Sequence, residues 1–439
     1  MAEFDSRGLR ISTESPQAAA YYRDGVDLLL STWPGADDAL RLAIDHDHEF
    51  ALAHAALARL HAIRAEPAEA RARIAAAQEI VARNGSPREI SHVAILSLAL
   101  TGQSAKALES ALAHLNDWPR DVLILSLPLG AFGLFAFSGM VDHDQARVDL
   151  CERVTDRYDA DDWWFLTYRG WSHAENGSVA RGRDLAQRGL EQRRANANAA
   201  HAVSHAMFEQ GSTQEAEALI ADWLPGYDRA GRLHAHLAWH AALSALERDD
   251  PQQALAIYSE HIKPSVSLGV PINVVTDTVS LLWRLQANGY AVPSGLWEDV
   301  ETYAESRFPK PGLAFIEVHM GLLAAARGKG AAANDRIEAN ARRVADGTLP
   351  AGVVVPSICR AAIAFANADY AECVRILEPV SGDVPRIGGS GAQREIVKDM
   401  LLLALMRSGA SAKARDMLDR RLHRRPSQCD VRWRRQIEV

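Results

Sequence analysis

Cysteine is scarce in this 439-residue chain, which contains only four. Cys151, Cys359, Cys373 and Cys429 have neither the short spacing of a metal-binding pair nor the density of a disulfide-rich domain. This argues against a disulfide-stabilised secreted domain and favours a reducing compartment. Residues 1–5 are acidic and lack the basic-then-apolar order of a signal peptide. We therefore expect a cytoplasmic protein.

The chain also lacks an uninterrupted apolar segment that would cross a bilayer. Val122 to Val141 contains no charged residue and is about long enough to span. Pro128 and three glycines interrupt it, however, so we interpret it as a buried repeat helix and expect no membrane partner. Its three phenylalanines are predicted to fill a core rather than line a pocket: Phe132, Phe135 and Phe137.

An excess of positive charge is absent as well, since the net charge is -8 at pH 7. We therefore expect no nucleic-acid partner. Arginines do cluster near the C-terminal end, at positions 415, 420, 421, 424, 425, 432, 434 and 435. We interpret them as part of a solvated capping segment, which helical-repeat proteins need at their ends.

Strand-like alternation is rare, whereas helix-turn signals recur along most of the chain. These signals are Gly102, Gly139, Gly177, Gly211, Asp249, Gly289, Gly328, Asp369 and Gly409. Successive signals are 34 to 41 residues apart, close to the periods of tetratricopeptide repeats (TPR, about 34) and related helical pairs (roughly 40 to 47). The spacing predicts an all-α fold, a right-handed α-solenoid of TPR-like helical hairpins curved around a central cavity. We predict one superhelical domain over residues 1–439, with an N-terminal segment 1–35 and a C-terminal capping segment 410–439.

Two histidine pairs share one internal spacing and lie about one repeat apart. His201 and His205, like His236 and His240, are four residues apart, which places each pair on one helix face. The two pairs are offset by 35 residues. Because the first helix of each TPR hairpin lines the concave surface, we expect a histidine cluster of four imidazoles on the inner wall. Asp277 continues the register in the next first helix.

Three interpretations of this cluster stay open. In the first, which we favour, the four histidines and Asp277 are catalytic and carry out acid-base chemistry without a cofactor. In the second, His201, His205, His236 and His240 bind a divalent metal such as zinc, iron or manganese. Neither pair contains the internal glutamate of a His-Glu-x-x-His motif, which argues against a known metalloprotease site. In the third, the imidazoles pair with one another and with backbone groups between packed helices.

Further residues are predicted to bind the substrate of such a site. Trp163, Tyr168 and His173 precede the Gly177 turn, and Trp239 lies between the second pair of histidines. This aromatic and imidazole composition favours an enclosed pocket over an open peptide-binding track.

A glycine-rich turn at residues 387–394 opens the helix of the last repeat. Its backbone amides, together with Gly389, Ser390, Gln393 and Arg394, are predicted to hold an anionic or carbonyl group. The turn has no Gly-Lys-Ser/Thr ending, so it is not a nucleotide-binding P-loop. The alternative is an ordinary loop with Ser390 as a helix cap.

These motifs together resemble a known family. The two His-x-x-x-His segments, Asp277 followed by Trp283-Arg284-Leu285-Gln286, and Gly388-Gly389-Ser390 with Ala392-Gln393-Arg394 are similar to signatures of the tetratricopeptide repeat protein thirty-eight family. The match runs in order from near His201 to Arg394. The resemblance implies a TPR-like α-solenoid over nearly the full chain, and it implies no particular reaction.

Two functions follow from these observations. The first is small-molecule binding inside the superhelix, with His/Asp acid-base catalysis of the hydrolase or lyase type on a polar or anionic substrate. The second is a non-catalytic scaffold that binds a peptide or partner protein in its concave groove. Either function is compatible with a homo-oligomer, and the sequence does not indicate the oligomeric state.

Overall fold

The chain folds almost entirely into helices. The computed structural model describes residues 2–437, so Glu438 and Val439 of the predicted capping segment lie outside the described residues. Two short strands, β1 (Glu3–Phe4) and β2 (Arg10–Ile11), pair antiparallel near the N-terminus. The first helices are α1 (Pro16–Ser31), α2 (Ala36–His46), α3 (Ala51–Ile63), α4 (Pro67–Asn84), α5 (Pro87–Leu100), α6 (Ser104–Asp117), α7 (Val122–Leu129), α8 (His143–Val154), α9 (Trp163–Glu175), α10 (Val179–Gln192), α11 (Ala197–Glu209) and α12 (Thr213–Trp223).

The remaining helices follow one another to the end of the described chain. They are α13 (His234–Glu247), α14 (Pro251–Ile257), α15 (Pro271–Ala287), α16 (Ser294–Arg307), α17 (Ala314–Ala326), α18 (Gly330–Ala345), α19 (Val354–Ala366), α20 (Tyr370–Leu377), α21 (Gly391–Arg407), α22 (Ser411–Arg424) and α23 (Gln428–Gln436). A π-helical turn, Tyr258–Ile262, extends α14, and a 3-10 segment, Glu378–Ile387, follows α20.

Left-handed backbone turns separate the two helices of most hairpins. Eight of the nine predicted turn residues have φ between +65° and +89°. Glycine favours this region because it has no Cβ. At the ninth position Ala368 adopts the turn with a φ of +58°, and Asp369 caps α20 by accepting a hydrogen bond from Glu372 N. The predicted turn register is therefore confirmed.

The helices stack as a solenoid in which each packs on its neighbours in sequence. The helices α9, α11, α13, α15 and α17, each the first of its hairpin, lie side by side in that order. The prediction of an all-α solenoid of helical hairpins is therefore confirmed.

Long-range contacts bring the N-terminal repeats onto the middle of the superhelix. Asn198 Nδ2 donates to Leu30 O at 2.8 Å, and the Tyr227 hydroxyl donates to Thr32 O at 2.7 Å. Further along, His143 Nε2 lies 3.0 Å from Pro385 O. These contacts join segments more than 160 residues apart, and they enclose the concave face as a cavity.

The apolar segment from Val122 to Val141 is not one helix. Only its first eight residues are helical, as α7, and an irregular turn follows. Within residues 2–437, no helix is long and apolar enough to cross a membrane. The expectation that its phenylalanines fill a core holds for Phe135, which is buried. It holds only in part for Phe132 and Phe137, which are partly buried against the core but also line the central cavity.

Among the C-terminal arginines, Arg425 is buried and the Arg421 side chain is only 10% exposed, which corrects the expectation of a fully solvated segment. Arg425 donates to Glu395 Oε2 at 2.9 Å, and Arg421 pairs with Asp399 at 2.8 Å. Arg425 also lies over the Phe208 ring at 4.1 Å. These ion pairs attach the end of α22 to α21, so this part of the segment is a packed element of the solenoid.

Glycines permit an unusually close approach of α9 and α10. A Cβ added at Gly182 would lie 2.5 Å from Ala174 N and 2.7 Å from Gly170 O. Because these are backbone atoms, the two helices must separate to accept it. We expect Gly182→Ala to lower the stability of the fold by about 1–3 kcal/mol, measured by thermal unfolding.

Gly295→Ala is the matched control, since a Cβ at this position in α16 meets no atom within 4 Å. We expect this control to leave stability unchanged or slightly higher. Equal stability of the two variants would contradict close packing as the reason for Gly182.

Candidate functional site

Four imidazoles meet between α11 and α13. One ring nitrogen from each of His201, His205, His236 and His240 lies within 4.8 Å of the others. The side chains are buried, with exposed fractions between 0% and 8%. The predicted histidine cluster is therefore present, and it forms because equivalent turns of two neighbouring first helices face each other.

Two tryptophans enclose the cluster. Trp171 contacts the first pair, with ring centroids 5.2 Å from His201 and 4.8 Å from His205. Trp239 stacks on His236 at 5.3 Å and donates its Nε1–H to Ser280 Oγ at 3.2 Å. The imidazoles are thus largely buried, with an aromatic ring beside each pair.

Asp277 orients one histidine of the cluster. The Nδ1–H of His236 donates to Asp277 Oδ2 at 2.8 Å, while His236 Nε2 lies 3.1 Å from His201 Nε2. In this tautomer His236 Nε2 carries a lone pair, which accepts a hydrogen bond from the Nε2–H of His201. Asp277, which the sequence predicted to lie in the first helix of the following repeat, therefore contacts the imidazoles.

A second carboxylate, Glu175, lies behind His205 and was not predicted from the sequence. His205 Nδ1 is 3.2 Å from Glu175 Oε1, off the line of a good hydrogen bond. Burial opposes ionisation of this carboxyl group, but the interaction with His205 outweighs it and holds the pKa of Glu175 below its usual value. Glu175 is the last residue of α9, 30 residues before His205. Counting back from His205 by the 34 residues between Gly177 and Gly211 reaches Trp171. Glu175 lies one helical turn beyond Trp171 on the same helix face, and this is the signal that would have found it.

Hydrogen bonding within the cluster joins His201 to His236 but leaves the other two imidazoles unsatisfied. Among the described residues, neither ring nitrogen of His240 or of His205 has a hydrogen-bond partner. An unpaired buried polar group costs about 1–3 kcal/mol. Burial, followed by the neighbouring imidazoles, lowers the pKa of His201 and His240 well below the usual value. These two rings are therefore neutral at pH 7, the form in which imidazole binds metal ions.

A cavity of about 490 Å³ adjoins the cluster. His201 and His236 form part of its wall, and Tyr168 and Gln393 line it as well. Arg59 and Arg232 also line the cavity and were not anticipated from the sequence. Their positions in separate repeats, with no motif around them, gave no sequence signal.

Several residues predicted to bind substrate lie elsewhere. His173 pairs with Glu152 at 2.7 Å, on the side of α9 away from the cluster. Trp163 lies beneath Arg193, whose guanidinium is 4.6 Å from the ring centroid. The aromatic wall is instead formed by Trp171 and Tyr168, because the helix turns these side chains to the concave face.

The glycine-rich turn supports the site from behind. Arg394 does not reach the cavity, because it donates to Gly389 O at 2.5 Å and to Asp144 Oδ2 at 2.7 Å. Gly389 has a φ of +80° and Ser390 caps α21, so both act in the turn itself. Gly391 N then donates to Glu175 Oε2 at 2.7 Å. The turn thus positions the carboxylate behind His205, while Gln393 alone of the four predicted residues lines the cavity.

Comparison with known proteins adds little to this picture. No family model matches the chain. Yeast Tom70 is similar at 12% identity over 96% of this chain and 95% of its own, with a TM-score of 0.32. The pilF protein of Pseudomonas aeruginosa is similar at 17% identity over 55% of this chain and 88% of its own, with a TM-score of 0.24. Such weak similarities carry no argument about function, and the TPR-like class rests on the helices and turns described above.

Proposed function

We propose that this chain binds a divalent transition metal through His201, His205, His236 and His240 and acts, with that metal, on a small molecule in the adjoining cavity. The reaction would be of the hydrolase or lyase type. The observation that carries the proposal is the convergence of four buried imidazoles, each offering one nitrogen within 4.8 Å of the other three. Membership of the thirty-eight family and a cytoplasmic location remain part of this proposal.

The donor set fits a late first-row metal. Neutral imidazole suits zinc, copper, iron and nickel, whereas magnesium and calcium prefer oxygen ligands. Nitrogens that share one ion at about 2.0–2.1 Å lie roughly 3 Å apart. The 3.1 Å between the Nε2 atoms of His201 and His236 is of that order.

The outer residues fit as well. A histidine that ligates a metal usually donates its other ring N–H to a carboxylate or carbonyl group. His236 makes this contact with Asp277, and His205 approaches Glu175. Two carboxylates next to the ligands would also offset the two positive charges of the ion, which makes its burial less costly.

The proposal changes the role expected for the imidazoles from proton transfer to metal binding. A bound metal would supply a Lewis acid that polarises a carbonyl or lowers the pKa of water. His201 and His236 line the cavity, so a substrate bound there would lie next to the residues that would hold the ion. Asp277 keeps the orienting role.

Metal titration tests this function directly. We expect the purified chain to contain about one transition-metal ion, measured by plasma mass spectrometry. After chelation, adding zinc or cobalt(II) at a thousandfold excess over its dissociation constant should stabilise the fold by about 4 kcal/mol. Magnesium is the control and should produce no shift. A chain that takes up neither zinc, cobalt nor iron contradicts the proposal.

A second candidate function is a non-catalytic scaffold that binds a peptide in the concave groove. It is favoured by the helical-repeat class and by Leu268, whose side chain is 63% exposed beside a depression lined by Trp33, Ile63 and Pro271. If the chain is such a scaffold, its imidazoles should bind no metal. The metal titration therefore distinguishes the two functions.

A further inference from the structure

Two arginines reach the central cavity without acidic partners. Arg59, on α3, donates its Nη1 to Leu123 O at 2.8 Å and to Ser126 Oγ at 2.6 Å. Arg232, just before α13, donates its Nη2 to Thr32 Oγ1 at 2.9 Å. Among residues 2–437, neither guanidinium has a carboxylate within 4.0 Å. All their protein partners are neutral oxygens.

Two more deeply buried arginines of the described chain are paired with carboxylates, because an unpaired buried charge is costly. The buried guanidinium of Arg147 pairs with Asp144, and that of Arg425 pairs with Glu395. Both arginines line the one cavity. Burial lowers the pKa of Arg59 to about 10, Tyr168 opposes this shift, and the positive charge of Arg232 adds to it. Two like charges kept together beside a cavity indicate a negatively charged ligand.

The other residues that line the cavity indicate the polarity of the rest of that ligand. No aspartate or glutamate is among the described residues that line the cavity. Leu29, Ile63, Leu134 and Phe132 form apolar surface around it. Gln393 also lines the cavity, and its buried Nε2 has no hydrogen-bond partner in the described chain. The cavity therefore combines positive charge with an apolar body.

We propose that the cavity binds an anionic amphipathic small molecule, a carboxylate or phosphate monoester carried on an apolar body. Arg59 and Arg232 bind the anionic group, and the apolar walls bind the remainder beside the histidine cluster. This assigns the substrate class and rests on the proposed function for the reaction, although binding itself does not require the metal.

A set of probes with one apolar body and different head groups tests the proposal. Octanoate, octyl phosphate, octan-1-ol and octylamine are titrated calorimetrically into the full chain, both metal-free and metal-loaded. We expect octanoate or octyl phosphate to bind at least about tenfold more tightly than the alcohol and the amine, because charge-assisted hydrogen bonds contribute that much. The tighter of the two anions identifies carboxylate or phosphate as the source.

Substitution of the two cavity arginines tests whether they bind the anionic group. Arg232→Gln should weaken binding of the preferred anion about tenfold or more, and Arg59→Gln should do the same where it folds. Arg71→Gln is the matched control, since Arg71 is exposed on α4 and should leave binding unchanged. Equal binding of octanol and the anions, failure of every probe to bind, or unchanged binding by both cavity variants overturns the proposal.

The metal content of the same samples separates the two proposals. Arg232→Gln should retain the metal of the unaltered chain, because Arg232 is not a ligand. Anion binding that depends on Arg232 in a chain that takes up no metal sustains this inference and rejects the metal function. A metal-loaded chain that binds no anionic probe sustains the metal function and rejects this inference.

Discussion

His240→Leu is expected to weaken metal binding strongly and at the same time stabilise the metal-free chain. Removing one of four ligands should weaken metal affinity by more than the roughly 10–100-fold that loss of an outer-shell partner costs. Leucine also removes two buried ring nitrogens that have no hydrogen-bond partner among the described residues. The metal-free variant should therefore be more stable by about 1–2 kcal/mol. Metal content and the melting temperature of metal-free protein are the two measurements.

His319→Leu is the matched control for this experiment. His319 is equally buried, on α17, but its Nδ1 lies 2.7 Å from Phe315 O and it is not part of the cluster. We expect this variant to keep its metal and to lose a little stability, because it loses a hydrogen bond. If His240→Leu instead destabilised the metal-free chain and left metal uptake unchanged, the imidazoles would be packing residues between helices.

Asp277→Asn is expected to reduce metal affinity about 10–100-fold while leaving the metal-free fold nearly unchanged. The substitution preserves size but removes the charge that fixes the tautomer of His236. Its effect is measured by zinc competition with a coloured chelator. Because Asp277 is a positioning residue, the visible spectrum of the cobalt(II) form should also change, which a purely structural role would not produce.

Asp299→Asn serves as the control for Asp277, since this exposed aspartate lies on α16, the helix that follows α15. It should alter neither the zinc affinity nor the cobalt spectrum. Unchanged affinity and an unchanged spectrum in Asp277→Asn would mean that the carboxylate does not act on the cluster.

The histidine cluster was predictable because its causes are local and repeated. Four-residue spacing places two imidazoles on one helix face, and a 35-residue offset repeats that face in the next hairpin. The same counting applied one repeat earlier, 34 residues back, leads from His205 to Trp171. Glu175 lies one helical turn beyond Trp171, so following that helix face for one further turn would have found the second carboxylate.

The partner of Arg394, by contrast, could not be predicted by counting residues along the repeats. The place of Arg394 in a glycine-rich turn suggested an anion-binding role, but Asp144, 250 residues away in sequence, takes its guanidinium. Whether Arg394 and Asp144 can pair depends on how the superhelix brings the two segments together. No local pattern around either residue carries that information.

The helices, their left-handed turns and the inward position of the histidines were determined by the sequence alone, because backbone sterics and helical periodicity act over a few residues. The tertiary structure decided that the concave face closes into a cavity. Contacts such as that between Asn198 and Leu30 bring distant repeats together. Arg59 and Arg232 become neighbours only through that closure, so the charge of the cavity is a property of the fold and could not be inferred from either segment.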